Sequence, residues 1–409
     1  MSYVPHSDAD REAMLAAIGV GAIEDLFDAV PEAYRFPDLD LPEPLSEMEV
    51  MAELQGLQAA NASAQDFAIF LGAGAYNHYI PSAINHILLR GEFYTAYTPY
   101  QPEISQGTLQ AIFEYQSMLC ALTGMESANA SHYDGATSLA EAVIVADQQG
   151  RGKRKKIILS PGINPQYRAV VRTYMQGRDF EFVGDEDGAA TLDDLVALLD
   201  DNTAMLAVGY PNFFGQIEDL SGLAEKVHAA GALLALVTDP ILLGLFKSPG
   251  ELGADMVVGE GQPLGIPLSF GGPYLGFFAC TKKLVRRISG RIVGETQDEN
   301  GVRAYVMTLR PREQDIRRDK ASSNICTNQG LMALAAGVYL SLMGKCGLDT
   351  VARLCYHKAH YAAQQIDALT GYGVDMSQPF FKEFMVRCPL PVDEVNDYLL
   401  EEWGIVGGY

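Results

Sequence analysis

Paired cysteines, long apolar runs and positive charge are the scarce features of this sequence. Its six cysteines (Cys120, Cys280, Cys326, Cys346, Cys355, Cys388) form no CxxC pair, so neither a zinc ribbon nor a disulfide framework is indicated, and they read as reduced thiols. No metal is expected. No apolar run reaches the roughly 18 residues that a bilayer-spanning helix needs, the richest stretches being residues 331–343 and 232–237. A membrane protein is therefore not expected. Near the N-terminus, Ser7, Asp8 and Asp10 stand where a signal peptide would carry basic residues and then an apolar stretch, which points to a cytoplasmic location. Only 29 Lys and Arg oppose 52 Asp and Glu, and the resulting formal charge of −23 repels phosphate backbones and argues against nucleic-acid binding.

What is present is the composition of a globular protein: 409 residues, 48% hydrophobic and 20% charged, enough for a sizeable core and for one large domain plus a smaller one. The acidity is uneven. Between Lys282 and Lys320 there are 11 Lys or Arg against 6 Asp or Glu, an excess of five that fits either a solvated face with internal ion pairs or a docking surface for an acidic partner. Apolar spacing over residues 8–30 predicts two short helices, with Ser7 as cap and Gly19 to Gly21 as a break. Pro31, Pro37, Pro42 and Pro44 then predict an extended arm, and a helix resumes at 46–61 with Ser46 and Glu49 as a capping box.

From about residue 105, helices alternate with short apolar strands at 156–159, 205–209, 233–238, 256–259 and 274–280. This alternation predicts an α/β fold with a mainly parallel sheet covered on both faces, whose ligands gather at the carboxyl ends of the strands. Helices at 329–343 and 350–369 and a strand at 381–387 predict a smaller α+β domain, giving expected divisions of 1–62, 63–328 and 329–409. The sequence ends at Gly407-Gly408-Tyr409, where such a domain would be expected to continue, which suggests truncation or a short domain.

Four segments could carry chemistry, and each has a plainer alternative. Gly135-Ala136-Thr137 precedes a helix-compatible run, so its backbone N–H groups and the Thr137 hydroxyl suit a phosphate; a tight packing loop would look the same. Asp239 ends an apolar strand, where a carboxylate could keep the pyridine nitrogen of pyridoxal phosphate protonated, or could simply cap a helix begun by Pro240. The tyrosine-rich segment 93–107 contains Tyr97, Thr98, Tyr100, Gln101 and Glu103, stiffened by Pro99 and Pro102; it suits a polar pocket wall or an ordered surface loop. Ser322, Ser323 and Asn324 could reach a phosphate or cap the helix that follows.

Read together, these segments resemble the P-protein family of the glycine cleavage system, in the form of its first subunit where the enzyme is split into two chains. The resemblance covers nearly the whole sequence: Tyr3-Val4-Pro5-His6, the run Phe70 to Tyr76, His78-Tyr79-Ile80-Pro81, Gln101 to Gly107, Tyr133 to Thr137, Ser160-Pro161, Gly259 to Pro273, Arg312-Glu313-Gln314, Ser323 to Gln329, and Phe380 to Phe384. It implies a fold-type I, aspartate-aminotransferase-like, pyridoxal-phosphate-dependent transferase fold. It also implies decarboxylation of glycine on pyridoxal phosphate, with transfer of the aminomethyl group to the lipoylated H-protein. That chemistry requires a Schiff-base lysine. In the second subunit this lysine precedes a glycine-rich turn; here the matching stretch is Gly259-Glu260-Gly261-Gln262-Pro263-Leu264-Gly265, Gln262 falls near the lysine position, and no lysine occurs between Lys247 and Lys282.

The resemblance therefore implies a non-Schiff-base subunit, assembled with two copies of each chain, whose cofactor is held covalently by the partner. Gly135, Thr137 and Asp239 become a remnant cofactor site. Tyr97, Thr98, Tyr100, Gln101 and Glu103 become contributions to catalysis between subunits, and Ser322, Ser323 and Asn324 become contacts towards the partner's cofactor. The sequence departs from the family at Ser322, where Thr is expected, at Arg310-Pro311, at Asp315 in place of His, and at His132 in place of an apolar residue. Two alternatives remain at this point: a self-sufficient pyridoxal-phosphate enzyme using Lys247 or Lys282, and a non-catalytic scaffold.

Overall fold

The computed structural model describes residues 6–409, so the Tyr3-Val4-Pro5 part of the resemblance lies outside it. The chain divides into two units, Met1–Asp66 and Phe67–Tyr409. Residues 329–409 thus belong to the same compact unit as the large domain.

In the first unit, helix Asp8–Ile18 is capped by Ser7 and stopped by Gly19 in the left-handed region, and a 3-10 turn at Glu24–Phe27 takes the place of the second expected helix. The proline arm is irregular apart from one turn at Glu32–Tyr34, and helix Glu47–Ala59 carries the Ser46/Glu49 capping box. None of these elements buries a residue; Ile18, Leu41, Met48 and Leu57 are all more than 60% exposed.

The second unit is built on a seven-stranded sheet in the spatial order Ser127–Ala128, Gly276–Cys280, Met256–Glu260, Leu233–Thr238, Thr203–Tyr210, Lys156–Leu159, Glu181–Val183. The last five run parallel; Gly276–Cys280 is antiparallel to both of its neighbours. Thr203–Tyr210 is buried throughout, as a strand covered on both faces must be. Alternate residues feed two cores. Leu206, Val208, Leu234, Leu236 and Val257 face one, against helices Gln106–Thr123 and Gly330–Asp367; Met205, Ala207, Ala235, Met256 and Val258 face the other, against helix Gly135–Gln149.

Gly330–Asp367 joins the two helices expected at 329–343 and 350–369 and is interrupted at Gly344, which has a non-helical φ of 56°. By length and composition it is apolar enough to cross a membrane, but it lays Ala333, Ala335, Ala336 and Tyr339 into the core instead. The strand expected at 381–387 is confined to Val386–Arg387, paired with Gly373–Val374. Residues before it form a loop pinned to the large sheet region: Ile217 N donates to Pro379 O at 2.8 Å and Phe381 N to Gly215 O at 3.3 Å. A Cβ on Gly215, whose φ is +86°, would sit 1.9 Å from Glu383 O, so this close approach requires glycine. Ile405–Val406 pairs in parallel with Ala68–Ile69.

Candidate functional site

At the carboxyl ends of the parallel strands lies a pocket lined by Tyr76, Asn164, Tyr167, Asn212, Asp239 and Glu260, among others. Strand Leu233–Thr238 delivers Asp239 there because Pro240 has no N–H with which to continue a ladder. Rather than capping a helix, Asp239 makes an Asx turn, its Oδ1 accepting from Ile241 N at 2.8 Å before a single 3-10 turn at Leu242–Gly244. Its Oδ2 lies 2.5 Å from Lys382 Nζ, and the two side chains are only 9% and 8% exposed. The contact falls outside hydrogen-bond alignment for Oδ2, so it is an ion pair by charge and distance.

Lys382 is enclosed. Its ammonium stands 3.4 Å from the centre of the Tyr76 ring and 3.4 Å from His78 Nε2. Tyr76 Oη donates to Glu383 Oε2 at 2.8 Å, and Ala73 N donates to Glu383 Oε1 at the same distance. Burial, followed by the charge of Glu383, pushes the Tyr76 hydroxyl well above its ordinary pKa, and burial raises that of Glu383. Burial, with the neighbouring Lys382 charge, lowers His78 to about 4, so this imidazole is neutral at physiological pH.

Helix Gly135–Gln149 begins at the same pocket. Asp134 is its N-cap, accepting from Thr137 N at 2.7 Å, and the Thr137 hydroxyl answers by bonding to Asp134 N and O. Gly135 N donates to Glu260 Oε2 at 3.0 Å, while Glu260 Oε1 accepts from Gln262 N and Leu275 N. Burial raises Glu260 to about 7, against the opposing pull of these three N–H donors. Gln262 is fully buried and its amide is saturated by backbone: it accepts from Tyr76 N at 2.8 Å and donates to Tyr76 O and Ile266 O.

The tyrosine segment and residues 327–334 meet in a second cleft that shares no lining residue with the first. Tyr97, 74% exposed, has its hydroxyl 3.3 Å from Thr327 Oγ1, and Thr98 lines the cleft wall. Tyr100 Oη accepts from Arg291 Nη2 at 3.0 Å, and the Arg310 guanidinium lies 4.9 Å over the Tyr100 ring. Gln101 and Glu103 are exposed at the 3-10 turn Pro102–Ile104. Ser323 Oγ donates to the fully buried Glu141 at 2.6 Å; Ser322 lines a small crevice with Arg312 and Gln314, and Asn324 is exposed. The basic stretch turns partly inward, since Arg312 donates to Ile288 O and Gly290 O. His132 is a fully buried core histidine, held by Ser138, Asn129 and Ser289.

Of the residues expected in a remnant site, Asp239 lines this pocket, while Gly135 and Thr137 stand behind it at the start of their helix, Gly135 bonded to Glu260; the tyrosine segment and the 322–329 region lie on other surfaces. Sequence reasoning finds Asp239. It misses Tyr76, Glu260, Lys382 and Glu383 as parts of the pocket. These residues lie in the strings that carry the family resemblance, yet nothing local marks their side chains as converging on Asp239.

A strand order of this kind with a pocket at the carboxyl edge defines a fold-type I, aspartate-aminotransferase-like protein, and distant solved structures share the architecture. A sphingosine-1-phosphate lyase of Burkholderia pseudomallei matches at TM-score 0.64 and 15% identity over 91% of this chain and 86% of its own. A glutamate decarboxylase of Lactobacillus brevis matches at 0.66 and 12% over 93% and 88%. Far nearer is the crystal structure of glycine decarboxylase (P-protein) of the glycine cleavage system in inhibitor-bound form, at TM-score 0.91 and 43% identity over 100% of this chain and 92% of that one. Residues 1–398 match the model of the glycine cleavage system P-protein family. Probable glycine dehydrogenase (decarboxylating) subunit 1 of Thermomicrobium roseum is 56% identical over 100% of this chain and 91% of its own length, and that of Desulforamulus reducens is 53% identical over 100% and 92%. The chain belongs to the glycine cleavage system P-protein family.

Pyridoxal phosphate, which the fold group implies, does not fit the residues of the first pocket. Gln262, which the resemblance puts near the Schiff-base position, is buried and its amide saturated, and the Lys382 ammonium is paired with Asp239. Asp239 already has a cation, and both Gly135 N and the Thr137 hydroxyl already have partners.

Proposed function

We propose that this chain is the non-Schiff-base subunit of a two-chain glycine decarboxylase, and that with its partner it removes CO2 from glycine and passes the aminomethyl group to the lipoylated H-protein. The observation that carries this reading is Gln262, a saturated amide at the strand end where the resemblance puts the Schiff-base lysine. Pyridoxal phosphate, which draws electrons from the carbon that loses CO2, is then held covalently by the partner chain. Lys247 and Lys282 offer no substitute. Both are exposed; Ser248 beside Lys247 packs on Gly124, and Lys282 follows the strand end that pairs with the start of Met256–Glu260, so both lie towards the edge of the sheet opposite the pocket.

The relatives in Thermomicrobium and Desulforamulus are named as subunit 1, which supports a partner subunit for this chain. So does the N-terminal unit, which exposes large apolar side chains it cannot bury by itself. In this reading the tyrosine segment, with Tyr97 74% and Ile104 81% exposed, faces the shared site, and Ser322 and Asn324 lie towards the partner's cofactor. The assembly contains two copies of each subunit and works in the cytoplasm.

Glycine–bicarbonate exchange tests this reading. Purified chain, purified partner and their mixture are each given pyridoxal phosphate and lipoylated H-protein. Exchange in the mixture alone is expected; exchange by this chain alone would overturn the proposal and restore the self-sufficient reading.

A further inference from the structure

Two side chains in the first pocket imitate the charged ends of a pyridoxal phosphate molecule. At one end, a buried carboxylate at the end of a central strand is the partner such a pocket offers to a protonated ring nitrogen; Asp239 has the Lys382 ammonium there, 2.5 Å away. At the other, the N-terminus of helix Gly135–Gln149 is the kind of place that receives an anion; Gly135 N donates to the Glu260 carboxylate, whose second oxygen takes two further backbone N–H groups. Neither side chain is a loose visitor. Lys382 follows the fully buried Phe381 in a loop bonded to residues 215–217, and its ammonium is capped by the Tyr76 ring. Glu260 ends a strand buried along its whole length.

We infer that Lys382 and Glu260 are built-in replacements for the ring nitrogen and phosphate of the cofactor, so that this pocket excludes pyridoxal phosphate and instead fastens residues 379–384 to the carboxyl edge of the sheet. The former ligand site has become a joint. The cation that faces Asp239 and the carboxylate at the helix N-terminus are both supplied by the chain itself, so the places that would take the ring nitrogen and the phosphate are already filled.

Pyridoxine 5′-phosphate is a suitable probe, because it has both charged ends but no aldehyde to react with surface lysines. In calorimetric titration of the full chain, the wild type is expected to give no saturable binding up to about 1 mM, the weak end of specific affinity. Lys382→Ala combined with Glu260→Ala restores both charges' vacancies and should tighten binding at least tenfold, an effect that adding Asp239→Ala should abolish. A folded double variant that binds no better than wild type would overturn the inference. A second measurement needs no variant: in the native wild-type chain, amine acetylation followed by peptide mapping should label Lys382 at least a hundredfold more slowly than Lys247 and Lys282, and at the same rate in urea. Saturable binding by the wild type, or native labelling of Lys382 as fast as the exposed lysines, would also overturn it. None of these outcomes depends on glycine–bicarbonate exchange, so failure here is distinguishable from failure of the two-chain reading.

Discussion

Replacing Lys382 by Met keeps most of the side-chain volume but strips the cation from a carboxylate that is only 9% exposed. Removing one member of a buried ion pair leaves the other charge desolvated and costs about 3–5 kcal/mol, whereas removing both charges together is far less damaging. The ammonium also lies 3.4 Å from the Tyr76 ring centre, and its loss there adds about 0.5–2 kcal/mol. The single variant should therefore lose roughly 3.5–7 kcal/mol in urea unfolding followed by circular dichroism. Adding Asp239→Asn to it should recover much of this loss, so that the double-mutant cycle gives a coupling of about 2–3 kcal/mol. A Lys382→Met loss below about 1 kcal/mol, or a double variant whose loss equals the sum of the singles, would refute a buried, charge-compensated pair.

Other outcomes follow from neighbouring groups. Burial lowers His132 to about 3, so folding excludes a proton that the unfolded chain takes up below its ordinary 6.5; the stability linked to this residue is intact above pH 6.5 and is lost as pH falls towards 3. From pH 6 to 5 the wild type should therefore lose stability relative to His132→Asn at about 1.4 kcal/mol per pH unit, and a constant difference would contradict the assignment. Ser323→Ala removes the hydroxyl that donates to buried Glu141 and should cost about 1–3 kcal/mol by thermal unfolding. Tyr97→Phe and Ser322→Ala are each expected to lower glycine–bicarbonate exchange in the two-chain mixture while sedimentation shows assembly intact; unchanged exchange would remove them from the shared site.

The alternation of helix and strand was legible because the central strands are short apolar runs, several of them bounded by Gly, Pro or Asp. The strand at 233–238 coincides with its expected bounds, and its end at Asp239-Pro240 identified the pocket edge. Less legible was everything set by tertiary contact. The residues expected as a strand at 381–387 alternate well enough, but the bond from Phe381 N to Gly215 O and the pull of Asp239 on Lys382 hold the first part as a loop. Gly344 interrupts rather than ends its helix, because packing on both sides continues past it. Gln262 could be read from the sequence as a missing lysine; that Lys382, 120 positions later, would enter the same pocket could not, since a lone lysine among aromatics reads like any surface cation.

In the proposed reading, this chain lends a surface to chemistry whose cofactor sits on another chain. Borohydride reduction of the assembled two-chain enzyme, followed by digestion and mapping of phosphopyridoxyl peptides, tests it most directly. All of the label is expected on a lysine of the partner, with this chain unmodified; label on Lys382, or on any other lysine of this chain in proportion to activity, would contradict the account.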